Sequence, residues 1–186
     1  MKNFTIVSNF FVNLKYDQTQ TCLYLKERAA MFQVHVMQTM HMTRRDAMSG
    51  SRGSDVIFLE ERSIYSSREI FTELAYRKGD IPEDSLYIID HMFKDITSSD
   101  EIRGMIYLEC DPKKVMDRVG QRAHEADMLI TENYMTELEV AYKEWVKKVT
   151  WPVIIVNTGI EGAVLRVREA LEMLVNPLEN NNILAF

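Results

Sequence analysis

Residues 56–71 read VIFLEERSIYSSREIF, an apolar run that ends in the triplet Glu61-Arg62-Ser63 and passes into a polar segment compatible with a helix. A strand buried on both faces reads as a continuous apolar run, and a parallel sheet of such strands binds ligands at their carboxyl ends. The triplet therefore stands where ligand chemistry is expected. Arg62 could clamp a phosphate with both arms of its guanidinium, and Glu61 could hold a hard cation such as Mg²⁺ or neutralise Arg62. The alternative is a strand-end ion pair that only caps the following helix.

Further along, residues 104–110 read GMIYLEC, a second short apolar run, and Asp111-Pro112 follows as a helix start. Aspartate suits the N-cap and proline the first turn. The expected helix runs from Lys113 to Asp127 and carries Arg118 and Arg122 four residues apart, on one face. Two planar donor forks at that spacing can grip a polyphosphate. A solvated face paired with Asp117 and Glu125 is the alternative. Residues 151–156, WPVIIV, form a third strand candidate.

Helical periodicity separates these runs. From Cys22 to about Arg45, apolar residues at Leu25, Ala29, Phe32, Val36 and Met40 recur every three or four positions, which predicts an amphipathic helix with Gln33 beside its buried stripe. The amide of Gln33 offers one donor and one acceptor, enough to read a pyrimidine edge. A core-satisfied or exposed glutamine is the alternative. Helices are also expected over Tyr65–Arg77, Ser85–Asp95, from Thr131 (as cap) through Tyr134, Leu138, Tyr142 and Trp145, and over Glu161–Val175 with Val164, Val167, Leu171 and Leu174 facing in. Strands alternating with helices predict an α/β fold, a parallel sheet with helices on both faces.

Composition fits one domain over residues 1–186, with 176–186 as a loose tail. At 186 residues the chain can bury roughly 70% of its unfolded surface. A net charge of -6 argues against a nucleic-acid polymer or an anionic membrane as partner. Cys22 and Cys110 lie far apart in no metal-ligand spacing, and no apolar stretch is long enough to span a bilayer. A reduced, cytoplasmic setting is the expectation. The 12 methionines read as adaptable core filling.

In their order, Phe32-Gln33 on an early helix, Glu61-Arg62-Ser63 followed by Tyr65 and Arg68, the strand IYLECDP leading into an arginine-bearing segment, and the helix YMTELEVAYKEW at 134–145 resemble the deoxynucleoside kinase family. The resemblance implies the fold of the P-loop nucleoside and nucleotide kinases. It implies transfer of the γ-phosphoryl group of ATP to the 5'-hydroxyl of a deoxynucleoside, for nucleotide salvage, with ATP and Mg²⁺. By motif, Arg62 would bind the reacting hydroxyl and phosphate region, Glu61 would help hold Mg²⁺, and Arg118 and Arg122 would close over the phosphates as a lid. His124 stands where the family often has a further lid arginine. Gln33 would read the base, with Val36, Met40 and Ser67 lining its pocket. Asp127 would contact the sugar 3'-hydroxyl, as would Tyr16, with Tyr24 its rival. Enzymes favouring deoxycytidine and purines tend to carry Arg and Asp at the positions of Met40 and Ser67, so thymidine or broad pyrimidine use is implied. Dimers are common in the family, and a homodimer is the expectation by analogy.

One family element is absent from these residues. No G-x-x-x-x-G-K-[ST] phosphate loop occurs among the seven glycines. In the family that loop follows the first strand, which lies between the third and fourth, and the second strand carries the base carboxylate. The N-terminal βαβ part is thus expected to be missing. Either Phe4-Thr5-Ile6-Val7 fills the vacant place in the sheet, or the native protein is longer. A homologue that binds nucleosides, or serves as a dimer subunit, without transferring phosphate is the alternative function.

Overall fold

The computed structural model describes residues 2–8, 28–50, 57–100, 102–122, 130–175 and 184–185. The chain packs as two compact units, one built from residues 12–57 and 62–101, the other from 2–11, 58–61 and 102–186.

The second unit holds the sheet. Its strands are β1 (Lys2–Ser8), β2 (Ile57–Glu61), β3 (Ile102–Glu109), β4 (Val153–Asn157) and the two-residue β5 (Leu184–Ala185), in the order β2-β1-β3-β4-β5. The pairs β1–β3, β3–β4 and β4–β5 are parallel. The place between the Glu61 strand and the Tyr107 strand is filled by β1, which contains Phe4-Thr5-Ile6-Val7, with Phe4 opposite Gly104 and Val7 opposite Tyr107. Backbone amides and carbonyls in the middle of the sheet thereby find partners, which would otherwise cost about 1–3 kcal/mol each when buried. Within the segment 176–186 expected as a loose tail, Leu184 and Ala185 pair with Ile154 and Ile155 of β4.

Three helices of this unit bear on the argument: α5 (Pro112–Arg122), α6 (Glu132–Val146) and α7 (Ala163–Val175). Successive strand residues point to opposite faces, so Gly104 and Tyr107 of β3 look opposite ways. Tyr107 stacks on Tyr142 of α6 at 5.9 Å between ring centroids. A Cβ on Gly104 would lie 2.5 Å from Cδ2 of Leu174 on α7. A side chain at this position would require Leu174 to shift. Helices α6 and α7 therefore cover opposite faces of the sheet, which is why Met105, Ile106, Tyr107, Val153, Ile154 and Val156 are all buried. Thr131 caps α6 as expected, its hydroxyl accepting from the Tyr134 amide at 3.2 Å. On α7 the inward stripe is Val167, Ala170, Leu171 and Leu174. Val164, expected to face in, is 86% exposed; it lies in the first turn of the helix.

The first unit is helical: α1 (Ala29–Gly50), α2 (Ile64–Ser66), a π-helical segment (Ser67–Thr72), α3 (Glu73–Arg77) and α4 (Glu83–Thr97). Met37, Ile64, Ile81 and Ile89 form its core, with Met40, Val34 and Phe93 packed against them. The helix expected over Tyr65–Arg77 is present as three consecutive segments, widened by one residue per turn in the middle. Thr72 explains where: its buried hydroxyl donates to the carbonyl of Ser67, five residues back, at 2.9 Å. That is the spacing of a π turn, a local form that recurs at functional sites.

Candidate active site

The triplet that opened the sequence argument lies at the end of β2. Its Glu61 closes the strand, and Arg62 has φ 52, the left-handed region where only glycine is at ease. Among the described residues it is the one non-glycine with a positive φ. Backbone held in this way costs about 1–3 kcal/mol and concentrates at working sites. Ser63 then reverses the chain into α2: its hydroxyl accepts from the Ser66 amide at 3.4 Å, and the Ser66 hydroxyl donates to the Ser63 carbonyl at 2.8 Å. The Arg62 guanidinium carbon stands 6.0 Å from the centroid of Phe71. The Glu61 side chain lies outside the described residues.

Within the first unit the structure joins two of the residues assigned to a base pocket. The Ser67 hydroxyl donates to Oε1 of Gln33 at 3.2 Å, and both residues are buried, at 2% and 4% exposure. Val36 and Met40, half-buried, follow Gln33 at three and seven residues, on the same face of α1. Phe32 is buried, and Met40 also packs against the core of the unit. Tyr16 and Asp127, expected at the sugar, lie outside the described residues, as do Tyr24 and His124.

The sequence named Tyr65 and Arg68 but not the partners that hold them, nor Arg44. Arg68, next to Ser67, forms an ion pair with Asp90 of α4 and a second with Glu73 at 3.6 Å. Burial works against the Arg68 charge, and the hydrogen bond and charge of Asp90 more than offset it, so its pKa stands above the ordinary value. Arg44 near the end of α1 pairs with Asp100 at 2.6 Å, and the Tyr65 hydroxyl donates to the same carboxylate at 3.3 Å. These partners lie 22, 56 and 35 residues apart, beyond any local pattern.

Burial raises the Tyr65 phenol from 10.0 to about 12, and the charge of Asp100 adds to the shift. The folded pKa is above the unfolded one, so this contribution to stability is complete below pH 10 and is lost as pH rises through about 12. Urea midpoints measured from pH 9 to pH 12 should fall more steeply for the native protein than for Tyr65→Phe. Equal slopes would contradict this.

In the second unit, Arg118 reaches the turn after β4: Nη2 donates to the Thr158 carbonyl at 3.0 Å, and Nη1 approaches Sγ of Cys110 at 3.6 Å. Lys114 donates to the Gly159 carbonyl at 2.7 Å. Thr158 in turn is tied to β3, its amide and hydroxyl both donating to the Glu109 carbonyl at 2.8 and 3.0 Å. Arg122, one turn beyond Arg118, is exposed. The Lys143 ammonium is raised above its ordinary pKa by its bond to Glu139, and although burial opposes this, Glu109 adds to it. The structure thus places Arg62 in one unit and the arginine pair in the other. No described helix is long and apolar enough to cross a membrane.

A parallel α/β sheet flanked by helices is consistent with a P-loop-kinase-like domain. The deoxynucleoside kinase family matches residues 10–183, and the chain belongs to that family. It is 30% identical to human mitochondrial thymidine kinase 2 over 92 residues, 48% of this chain and 35% of that protein. It is 30% identical to mitochondrial deoxyguanosine kinase of Xenopus laevis over 117 residues, 60% of this chain and 44% of that protein. With chicken deoxycytidine kinase 2 the identity is 29% over 94 residues, 48% and 36% of the two chains. The chain matches less than half the length of each of these relatives.

Proposed function

We propose that the protein is a deoxynucleoside kinase of nucleotide salvage in the cytoplasm, transferring the γ-phosphoryl group of ATP to the 5'-hydroxyl of a pyrimidine deoxynucleoside. The buried Gln33–Ser67 pair carries the reading: a hydrogen-bonding amide sits beside apolar Val36 and Met40, the composition a base pocket needs. Met40 and Ser67 in place of Arg and Asp favour thymidine or broad pyrimidine use. Catalysis in such transfers is mainly positioning and charge stabilisation, so the assigned roles are simple. Gln33 orients the base, Arg62 steadies the reacting hydroxyl and phosphate, and Arg118 and Arg122 hold the phosphate chain. Magnesium is bound through one or two carboxylates together with substrate phosphates, and Glu61 at the end of β2 suits that role. When bound, the ion would neutralise charge on the phosphates.

The test is kcat/KM for thymidine against deoxyadenosine, with product analysis. Thymidine is expected to be the better substrate, with thymidine monophosphate as product. A kcat/KM for thymidine well below that for deoxyadenosine would sink the pyrimidine assignment.

A second reading, a nucleoside-binding homologue that transfers nothing, is favoured by one observation. Strand β1 takes the sheet position that in the family precedes the phosphate loop, yet residues 9–27 contain no glycine. Thymidine binding without ATP-dependent turnover would establish it.

A further inference from the structure

We infer that the Thr72 hydroxyl is a positioning group: it holds the widened turn of residues 67–72, which keeps the Phe71 ring beside the Arg62 guanidinium and so sets that arginine for phosphoryl transfer. The inference rests on the kinase reading above and adds to it a residue that, fully buried, acts only through its neighbours.

A threonine inside a helix ordinarily turns its hydroxyl back onto the carbonyl four residues earlier. Thr39, Thr97 and Thr136 of this chain do so, donating to His35, Phe93 and Glu132 at 2.8, 2.8 and 3.0 Å. Thr72 donates five residues back, to the Ser67 carbonyl at 2.9 Å. The backbone on either side confines the difference to one turn. The Ser67 amide donates to the Ser63 carbonyl, four back, at 3.2 Å, and the Glu73 amide donates to that of Ile70, three back. The extra residue therefore lies between Ser67 and Thr72, and the hydroxyl spans it from end to end. Turns of this width are rare, so one that persists needs holding. Both residues of the bond are buried, and water does not compete for the carbonyl.

The widened turn carries Phe71, one residue before Thr72. The Arg62 guanidinium carbon stands 6.0 Å from the centroid of that ring, within reach of the attraction between a guanidinium and an aromatic face. Ordinary winding would carry Phe71 round the helix axis and off the guanidinium. Arg62 would then keep its place at the strand end and lose the ring that sets its direction. A cation that must meet developing charge on a phosphate is sensitive to such a change, since misplacement by about 1 Å can cost roughly a hundredfold in rate.

The test joins crystal structures of Thr72→Val and Thr72→Ala to kcat at saturating thymidine and ATP for both, for Thr72→Ser, and for Thr72→Val combined with Arg62→Ala. The alanine variant decides if valine fails to pack. Without the hydroxyl, residues 67–72 are expected to wind regularly with Phe71 off the guanidinium, and kcat to fall by roughly tenfold or more. Thr72→Ser, which keeps the hydroxyl, should retain most of the native kcat. Because Thr72 acts through Arg62, Thr72→Val should cost less than about twofold further once Arg62 is alanine. A merely structural role would lower the melting temperature and leave kcat of the single variants unmoved, or its loss would multiply with that of Arg62→Ala; either result overturns the inference. Unchanged winding in the hydroxyl-free variants overturns it too, and would show that the ion pairs of Arg68 with Asp90 and Glu73 hold the turn alone. If the native protein turns nothing over, the kinase reading itself falls, and the winding and the Phe71–Arg62 contact in the variant structures still decide whether Thr72 positions the arginine.

Discussion

Arg62→Gly should be more stable than Arg62→Ala, by about 1 kcal/mol, reversing the usual order of these two residues. Both truncations lose the same side-chain contacts, including the approach to Phe71. They differ only in backbone preference, and at φ 52 that preference favours glycine. Both should lower turnover by at least about a hundredfold in active enzyme, the scale of losing one positioned charge at developing phosphate charge. Melting curves and initial rates on the two variants separate the effects. Equal activity of the variants and the native protein would remove Arg62 from the mechanism, and Ala more stable than Gly would show that the strand end relaxes when the arginine is gone. The native residue is thus held in a conformation its own backbone resists. That is the sign of a side chain kept for what it does.

Tyr142→Ala should destabilise the second unit by about 3–5 kcal/mol, the range for removing a large buried aromatic ring. Tyr142 is 1% exposed and lies between Tyr107, 5.9 Å away, and Trp145, 6.3 Å away. Trp145 continues the cluster to Trp151 at 6.5 Å. This run of rings joins α6 to the middle strand of the sheet. Thermal or urea denaturation followed by tryptophan fluorescence checks it directly, since both tryptophans lie in the affected cluster. A loss below about 1 kcal/mol would mean that the surrounding side chains close the cavity.

The strands and helices were readable in the sequence wherever apolar periodicity was strong. Residues 104–110 and 151–156 form β3 and β4 with shifts of a residue or two at their ends, and Asp111-Pro112 and Thr131 start the helices expected of them. The Glu61-Arg62-Ser63 triplet was found at a strand end, because an apolar run stopping at charged residues is a local signal. Its strained backbone was not readable, since nothing about an arginine announces a positive φ. Gln33 and Ser67 were assigned to one pocket by the resemblance, and the fold adds that they are hydrogen-bonded to each other. The place of Lys2–Ser8 in the middle of the sheet depended on strand order, which a single sequence leaves open. Arg68 with Asp90 and Arg44 with Asp100 escaped for the same reason, being pairs across helices.

The widened turn at Ser67–Thr72 has a consequence for how this chain can vary in length. One additional residue in a helical turn advances everything after it by roughly 100° around the axis. Here it lets Ser67 address Gln33 while Ala75 and Tyr76, further along, still meet the Ile81 and Ile89 core. Deleting a single residue between Arg68 and Phe71 would restore ordinary winding and turn one half away from its partners. The segment works as a phase adjuster, setting two faces that a regular helix of this length would keep in fixed relation.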